Sequence, residues 1–457
     1  MSFFDNLLKY NNRTCIIEDN DEFTYKEFIN LSDKLASKIE NRSLVFLITG
    51  NDIETVATYV GLIRVKSVVV LLEKNIKNEF LESLISKYKP NYIIQPKTSN
   101  LPNGYKKFFN FKEYIYAKKN LNKKILMNDK LALLLTTSGT TGSPKLVRLS
   151  YDNYIHNSKD IISSLELKNQ SVITTLPLNY TYGSSIINTH LISGGKIILN
   201  NNSILEKKFW DKFKKYQPQC FYGVPYIFEI IDKLNFRHFY HKNFRFIANA
   251  GGKLEDRLIK KLINYTNKKK IRFYSMYGQT EAAPRMSVLN YKHLKKKFNS
   301  IGKAINKNYF YIIDKKGKEI RSPYKDGELV YKGKNVCMGY SKSYKDLKKK
   351  DENNNILFTG DLARYDDDKF FYIVGRIKRI IKIFGIRINL EDVEFFLKKI
   401  GCDAKCMIID DKLDIQHNKK NLDISDLKDR LSKKLNLNKN YINFKYVNKI
   451  SNKKVLN

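Results

Sequence analysis

The sequence predicts an α/β protein built on parallel sheets, with a smaller barrel-like β piece and an α+β tail. Three observations carry that expectation. Short β-branched apolar runs alternate with helix-spaced segments, many of those runs stop at a glycine or proline, and strands crowd together from residue 309 onward. Taken in order, "SLVFLITG" (43–50), "SVVVLLE" (67–73) and "NYIIQ" (91–95) read as strands. Between the first two, "DIETVATYVGLIRVK" (52–66) has helical apolar spacing and an acidic start. "SVITTLPL" (171–178), "KIILN" (196–200), "CFYGVP" (220–225), "FRFIANAGG" (244–252) and "IRFYSMYG" (271–278) continue the strand pattern, most of them running into a glycine or proline turn. Strands alternating with helices imply parallel sheets with covered faces, and ligands then sit at the strands' carboxyl ends. "YFYIID" (309–314), "GELVYKG" (327–333) and "KFFYIVG" (369–375) suggest an antiparallel or barrel-like piece. After Arg376 the texture changes to a lysine-rich α+β tail, so the expected division is 1–375 and 376–457.

At 457 residues, 42% apolar and 28% charged, the chain is expected to be soluble, globular and of more than one domain. No apolar run approaches the roughly 20 residues a membrane helix needs, so no transmembrane segment is expected. The start, "MSFFDNLLKYNNRT", lacks a basic region followed by a long apolar stretch and does not read as a secretory leader. The cysteines at 15, 220, 337, 402 and 406 are odd in number and scattered, which argues against a disulfide framework or zinc site and points to the reducing cytoplasm. A net charge of +38 invites a nucleic-acid reading. Lysine and asparagine are abundant everywhere, however, and no zinc-finger or RNP-type motif appears. The charge therefore reads as compositional drift; the expectation is no specific nucleic-acid partner, with non-specific polyanion binding at low salt.

The most informative stretch is "LLLTTSGTTGSPKLVRLS" (133–150). A strand gives way to a turn, and a helix begins near Ser150. Glycines at 139 and 142 let backbone amides approach an anion, the hydroxyls of Thr137, Ser138, Thr140 and Thr141 add donors, and Lys145 adds a point charge. The loop is a plausible phosphate cradle. It is not a Walker A loop, because Ser143 and Pro144 separate the second glycine from the lysine and Leu146 follows it.

The string from Thr137 to Lys145 resembles the phosphate loop of the AMP-forming adenylating enzymes: acyl- and aryl-CoA synthetases, nonribosomal-peptide adenylation domains and luciferases. Further resemblances follow in family order over nearly the whole chain: "FTYKEF" (23–28), "LPLNYTYG" (176–183), "NAGGKL" (249–254), "MYGQTE" (276–281), "GELVYKGKNVCMGY" (327–340), "TGD" (359–361) and "GRIKRIIKIFGIRINLEDVE" (375–394).

The resemblance implies a large N-terminal domain of two parallel-sheet subdomains plus the barrel-like piece, and a small mobile C-terminal domain. It implies ATP- and magnesium-dependent conversion of a carboxylic acid to an acyl-adenylate, followed by transfer to a thiol, either coenzyme A or the phosphopantetheine of an acyl carrier protein. Residues 137–142 (Thr137, Ser138, Gly139, Thr140, Thr141, Gly142) and Lys145 would bind phosphates. Gly252, Tyr277, Gly278, Asp361 and Arg376 would bind the nucleotide, with Tyr277 stacking on adenine and Asp361 accepting from the ribose hydroxyls. Glu281, at a strand's carboxyl end, would hold magnesium beside Thr280. Tyr180, Tyr182, Gly183, Asn249 and Gly251 would shape the acid pocket. Lys454 would serve adenylation, and Lys378, Lys382 and Gly385 the hinge and thioester face.

Amino-acid-activating relatives place an aspartate where this chain has Thr181. A neutral threonine cannot pair with an ammonium, so a fatty or aromatic acid is favoured over an amino acid. Tyr180 stands where acyl-activating relatives often carry histidine. The six histidines form no constellation, and His190 reads as packed in a helix. The C-terminal stretch departs from the family's Pro-Lys-x-x-x-Gly-Lys, with Asn448 for proline and Lys453 for glycine, which leaves open Lys453 or Lys454 as the adenylation lysine and keeps a non-catalytic homologue in play. A P-loop hydrolase is disfavoured by the same residues that exclude Walker A.

Overall fold

The computed structural model of the chain describes residues 4–120, 125–136, 145–236, 238–383, 386–409, 412–448 and 450. They fall into two compact units, one from the chain up to 310 together with 331–357, the other from 311–330 and 358 onward.

The larger unit holds two sheets. The first has eight strands, with Leu131–Thr136, Val68–Glu73, Leu44–Thr49 and Tyr92–Pro96 forming a parallel centre. The predicted runs at 43–50 and 67–73 are buried on both faces, as continuous Val/Leu/Ile strands of a covered parallel sheet should be. The second sheet has nine strands. Its parallel series includes Ser171–Ile173, Cys220–Gly223, Phe246–Asn249 and Arg272–Gly278. Antiparallel Arg285–Leu289 continues it beyond Arg272–Gly278.

Helices begin where the sequence supplies caps. Asp52 accepts from Thr55 N at 2.9 Å and opens the helix Ile53–Arg64, which is buried along nearly its whole length. The "FTYKEF" stretch is a capping box: Thr24 and Glu27 satisfy each other's backbone amides at the start of Tyr25–Ala36.

One element departs from expectation. Between the phosphate-loop stretch and the helix Tyr151–Leu165 lies a further strand, Leu146–Ser150, antiparallel to Leu131–Thr136. The loop therefore joins two antiparallel neighbours, and its lysine is not followed at once by a helix N-terminus. Arg148 anchors this strand. Its guanidinium is fully buried, donates to the carbonyls of Met338 (2.6 Å), Tyr340 (3.2 Å) and Lys349 (2.7 Å), and ion-pairs with Glu352. The strand pairs with Tyr340–Ser341, whose neighbourhood supplies these acceptors.

The barrel-like expectation corresponds to a four-stranded sheet of Tyr309–Ile313, Gly327–Lys332, Ile356–Tyr365 and Phe371–Arg376, most of whose residues belong to the smaller unit. The α+β tail follows. It contains the hairpin Ile380–Ile383 and Ile386–Asn389, the helices Leu390–Lys399 and Ile424–Leu435, and a three-stranded sheet ending in Ile442–Tyr446. Leu397, Cys406, Leu413, Ile415, Leu431 and Ile442 pack into this tail's own core. No helix among the described residues is long and apolar enough to cross a membrane. All five cysteines are buried and free.

Candidate active site

Parallel strands in register bring their carboxyl ends level. Gly223 pairs with Asn249, and Asn249 with Ser275, so turn residues far apart in sequence form one row. The Asn249 amide donates to the Gly252 carbonyl at 3.3 Å, folding the glycine pair back over the strand, while its Oδ1 is buried without a partner. Gly251 adopts φ +81°, and a Cβ there would come within 2.6 Å of the Tyr180 hydroxyl. Tyr180 therefore lies against bare backbone. Its ring meets Tyr182 edge-on at 6.5 Å, and the Tyr182 hydroxyl reaches Ala248 O at 3.4 Å. A Cβ on Gly183 would strike Pro177 O at 2.2 Å, so the first turn of the helix Thr181–Ile192 closes against the preceding loop only with glycine. Tyr180, Tyr182, Gly183, Asn249, Gly251 and Gly252 are thus brought together around the start of one helix.

Beyond Arg272–Gly278 the chain turns tightly. Gln279 N donates to Pro284 O at 3.0 Å, and a Cβ on Gly278 would lie 1.9 Å from the same oxygen. The turn Thr280–Ala282 then presents two predicted residues. Thr280 Oγ1 lies 3.0 Å from Thr181 Oγ1, which ties it to the buried, neutral N-terminus of the pocket helix. Glu281 Oε1 accepts from the Tyr340 hydroxyl at 2.8 Å, and the Glu281 carbonyl accepts from Cys337 N at 2.8 Å. On the Tyr340 ring sits Lys145, its Nζ 3.3 Å from the centroid. Burial and then the neighbouring Glu281 carboxylate push the Tyr340 phenol up, so it stays protonated and donates. Tyr277 is half-buried; its hydroxyl accepts from the Gln279 amide at 3.2 Å and its ring meets Phe310 at 6.2 Å.

Among the described residues no group of three or more His, Cys, Asp or Glu side chains gathers as a metal cage. The donor set suits magnesium all the same. Magnesium is commonly held by one or two carboxylates plus phosphate oxygens and water, and among the described residues Glu281 Oε2 takes no hydrogen bond.

In the smaller unit Asp361 and Arg376 face each other across adjacent antiparallel strands. Asp361 is 4% exposed, Arg376 is 47% exposed, and Nε stands 3.3 Å from the carboxylate. Thr359 Oγ1 accepts from Asp361 N at 3.1 Å and fixes the backbone. A nearly buried carboxylate with a half-exposed cation beside it is suited to accept hydroxyl hydrogen bonds.

Thr137, Ser138, Gly139, Thr140, Thr141, Gly142, Gly385 and Lys454 lie outside the described residues. Lys378 falls in the short turn Ile377–Arg379, and Lys382 in the strand Ile380–Ile383, in register with Arg387. His190 packs in a helix as expected, with Nδ1 3.0 Å from Gln170 O and Nε2 3.1 Å from the Tyr222 hydroxyl; burial lowers its pKa to about 4. The site also contains residues that sequence reasoning did not single out. Tyr340 ended a quoted motif, but nothing local marks it as the partner of Glu281. Arg285 looked like any strand residue.

The sequence profile of the family described as "AMP-binding enzyme" matches residues 3–341. Among similar proteins, luciferin 4-monooxygenase of Nipponoluciola cruciata is 26% identical over 274 residues, covering 59% of this chain and 49% of that protein. Oxalate–CoA ligase of Saccharomyces cerevisiae is 29% identical over 299 residues, covering 61% and 53%. The chain spans about half the length of these curated relatives in the matched regions. Among solved structures, o-succinylbenzoate CoA synthetase from Bacillus subtilis, in complex with its acyl-adenylate intermediate, superposes with a TM-score of 0.81 at 18% identity, covering 98% of this chain and 95% of that one. The two share a fold.

Proposed function

Because the chain belongs to the AMP-binding enzyme family, we propose that it activates a carboxylic acid lacking an amino group with ATP and passes the acyl group to a thiol. The observation that carries this reading is the set Glu281–Tyr340–Lys145. A carboxylate, one of whose oxygens takes no hydrogen bond among the described residues, meets the hydroxyl of a tyrosine whose ring carries a cation, as a magnesium-nucleotide with its own charges of both signs requires. The substrate's carboxylate oxygen attacks the α-phosphorus, the bond to the pyrophosphate oxygen breaks, and an acyl-adenylate forms. A thiol then attacks the carbonyl carbon, AMP leaves, and the thiol proton passes to solvent.

Charge accumulates on phosphoryl oxygens in the first step, so catalysis rests on positioning and preorganised electrostatics, and no protein nucleophile is needed. Magnesium, when bound, offsets that charge. Glu281 would hold it, and Lys145 with residues 137–142 would hold the phosphates. Tyr277 offers a ring to adenine, Gly252 and Gly278 allow close approach of the nucleotide, and Asp361 with Arg376 takes the ribose. Thr280 fixes the turn that carries Glu281. A neutral, buried Thr181 supports the choice of an acid without an ammonium group. Residues 376–457 act as a lid that turns at Lys378, bringing Lys454 to the adenylation step and Lys382 and Gly385 to the thiol's path. The thiol belongs to coenzyme A or to a carrier protein's phosphopantetheine. The free, buried cysteines support a cytoplasmic setting.

ATP–pyrophosphate exchange tests the proposal. Exchange that depends on a simple carboxylic acid supports it. Exchange with standard amino acids alone would overturn the substrate assignment, and phosphate release without any acid would overturn the reaction.

A further inference from the structure

Arg285 is 1% exposed, and among the described residues no carboxylate pairs with it. Its Nε donates to Ser185 Oγ at 2.9 Å, and its Nη2 donates to Ser185 O at 2.9 Å, to Ser185 Oγ at 2.7 Å and to Thr189 Oγ1 at 3.2 Å. All these acceptors lie on the helix Thr181–Ile192, whose first turn carries the pocket residues. Nη1 is buried and among the described residues has no hydrogen-bond partner within bonding geometry. The guanidinium carbon lies 5.7 Å from the Tyr182 ring and 5.8 Å from the Tyr222 ring. Nearby lie His190, neutral at physiological pH, and Asn157, whose amide donates to the Arg285 carbonyl at 2.7 Å. Burial lowers the Arg285 pKa, and the Tyr222 and Tyr182 phenols, Tyr222 also through a hydrogen bond, raise it, with no acidic side chain among the causes.

Buried charges in proteins are ordinarily paired, and an arginine does not give up its proton at neutral pH. Here a charge and an unused donor sit at the inner end of a line of aromatic contacts. That line runs from Gly251, through Tyr180 and Tyr182, to Tyr222. We propose that Arg285 is the specificity-determining residue of the acid pocket, and that it selects a dicarboxylic acid, holding the carboxylate that does not react. The planar guanidinium fork fits a carboxylate, and Ser185 and Thr189 hold the fork in place. This rests on the acid-activating reading above.

The test is acid-dependent pyrophosphate exchange with succinate, glutarate and adipate, each against the monoacid of equal length: butyrate, pentanoate and hexanoate. In the wild-type protein at least one dicarboxylate should exceed its monoacid by about tenfold or more in kcat/KM, with the advantage in KM, because the bond is made in the ground state as well. Arg285→Met should bring the pair to within about twofold, by raising KM for the dicarboxylate more than for the monoacid. Arg285→Lys should keep part of the preference. Should Arg285→Met fail to fold, Ser185→Ala, which frees the fork, should erode the preference instead. Exchange with monoacids but no wild-type preference, or a preference that survives these substitutions, overturns the proposal while leaving acid activation standing. Exchange with no carboxylic acid at all overturns the underlying reading.

Discussion

Replacing Tyr340 with phenylalanine removes one oxygen and keeps the ring. That oxygen donates to Glu281 at 2.8 Å, and the ring supports Lys145 at 3.3 Å, so the substitution separates two roles of one side chain. A hydrogen bond to an ionised group contributes about 1.5–3 kcal/mol. If Glu281 must be held in place to take magnesium, its loss should lower kcat/KM for magnesium-ATP by roughly ten- to a hundredfold. Tyr340→Leu should cost a further ~0.5–2 kcal/mol, because the cation then loses its aromatic face. The assay is acid-dependent pyrophosphate exchange across a magnesium titration, with equilibrium nucleotide binding and thermal unfolding measured alongside. The magnesium requirement should shift upward in Tyr340→Phe while the unfolding temperature barely moves. Exchange within twofold of wild type at limiting magnesium would refute the positioning role. Equal loss in both variants would show that the hydroxyl carries the effect and that the ring's contact with Lys145 adds nothing.

Other predictions concern stability and the two half-reactions. His190 is held neutral, its pKa lowered from 6.5 to about 4 by burial. The unfolded chain takes up a proton below about pH 6.5 and the folded chain does not until about pH 4, so stability should fall across that window by a few kcal/mol. His190→Gln, compared by denaturant titration at several pH values, should flatten the slope; an unchanged slope would remove His190 as the cause. Gly278→Ala places a Cβ 1.9 Å from Pro284 O and should destabilise the fold on the order of 3 kcal/mol or displace the turn carrying Glu281, visible as weakened nucleotide binding. Lys454→Ala should abolish most adenylation while thioester formation from supplied adenylate survives, and Lys378→Pro should do the reverse, since proline fixes φ where a lid must turn. Parallel loss of both half-reactions in both variants counts against a turning lid.

Much of this was legible in the sequence because the signals were local. The strands at 43–50, 220–225 and 271–278 declare themselves by apolar runs ending in glycine or proline and that at 67–73 by its Val/Leu run, and the structure places strands within each. The turn residues follow from those strand ends, so Asn249, Gly251, Gly278 and Glu281 could be located without a structure. What was not legible depends on partners distant in the chain. The strand Leu146–Ser150 is anchored by Arg148 on carbonyls near residues 338–350, and no window around Arg148 contains them. Tyr340 meets Glu281, and Arg285 meets Ser185, only after the sheet has assembled. A tyrosine in a lysine-rich chain and an arginine in a short strand carry no periodicity that would mark them.

The row formed by Gly223, Asn249 and Ser275 has a consequence for how such a protein would change its diet over time. Each position belongs to a different strand, and neighbours in the row are separated in the chain by a full strand–helix repeat. A loop can be lengthened or rewritten as one block, but a row cannot. New substrate preferences would accumulate as scattered single replacements at strand ends, each tolerated only if its two lateral neighbours already leave room. Diversification at this wall would therefore be stepwise and order-dependent, with the strand interiors unchanged beneath it.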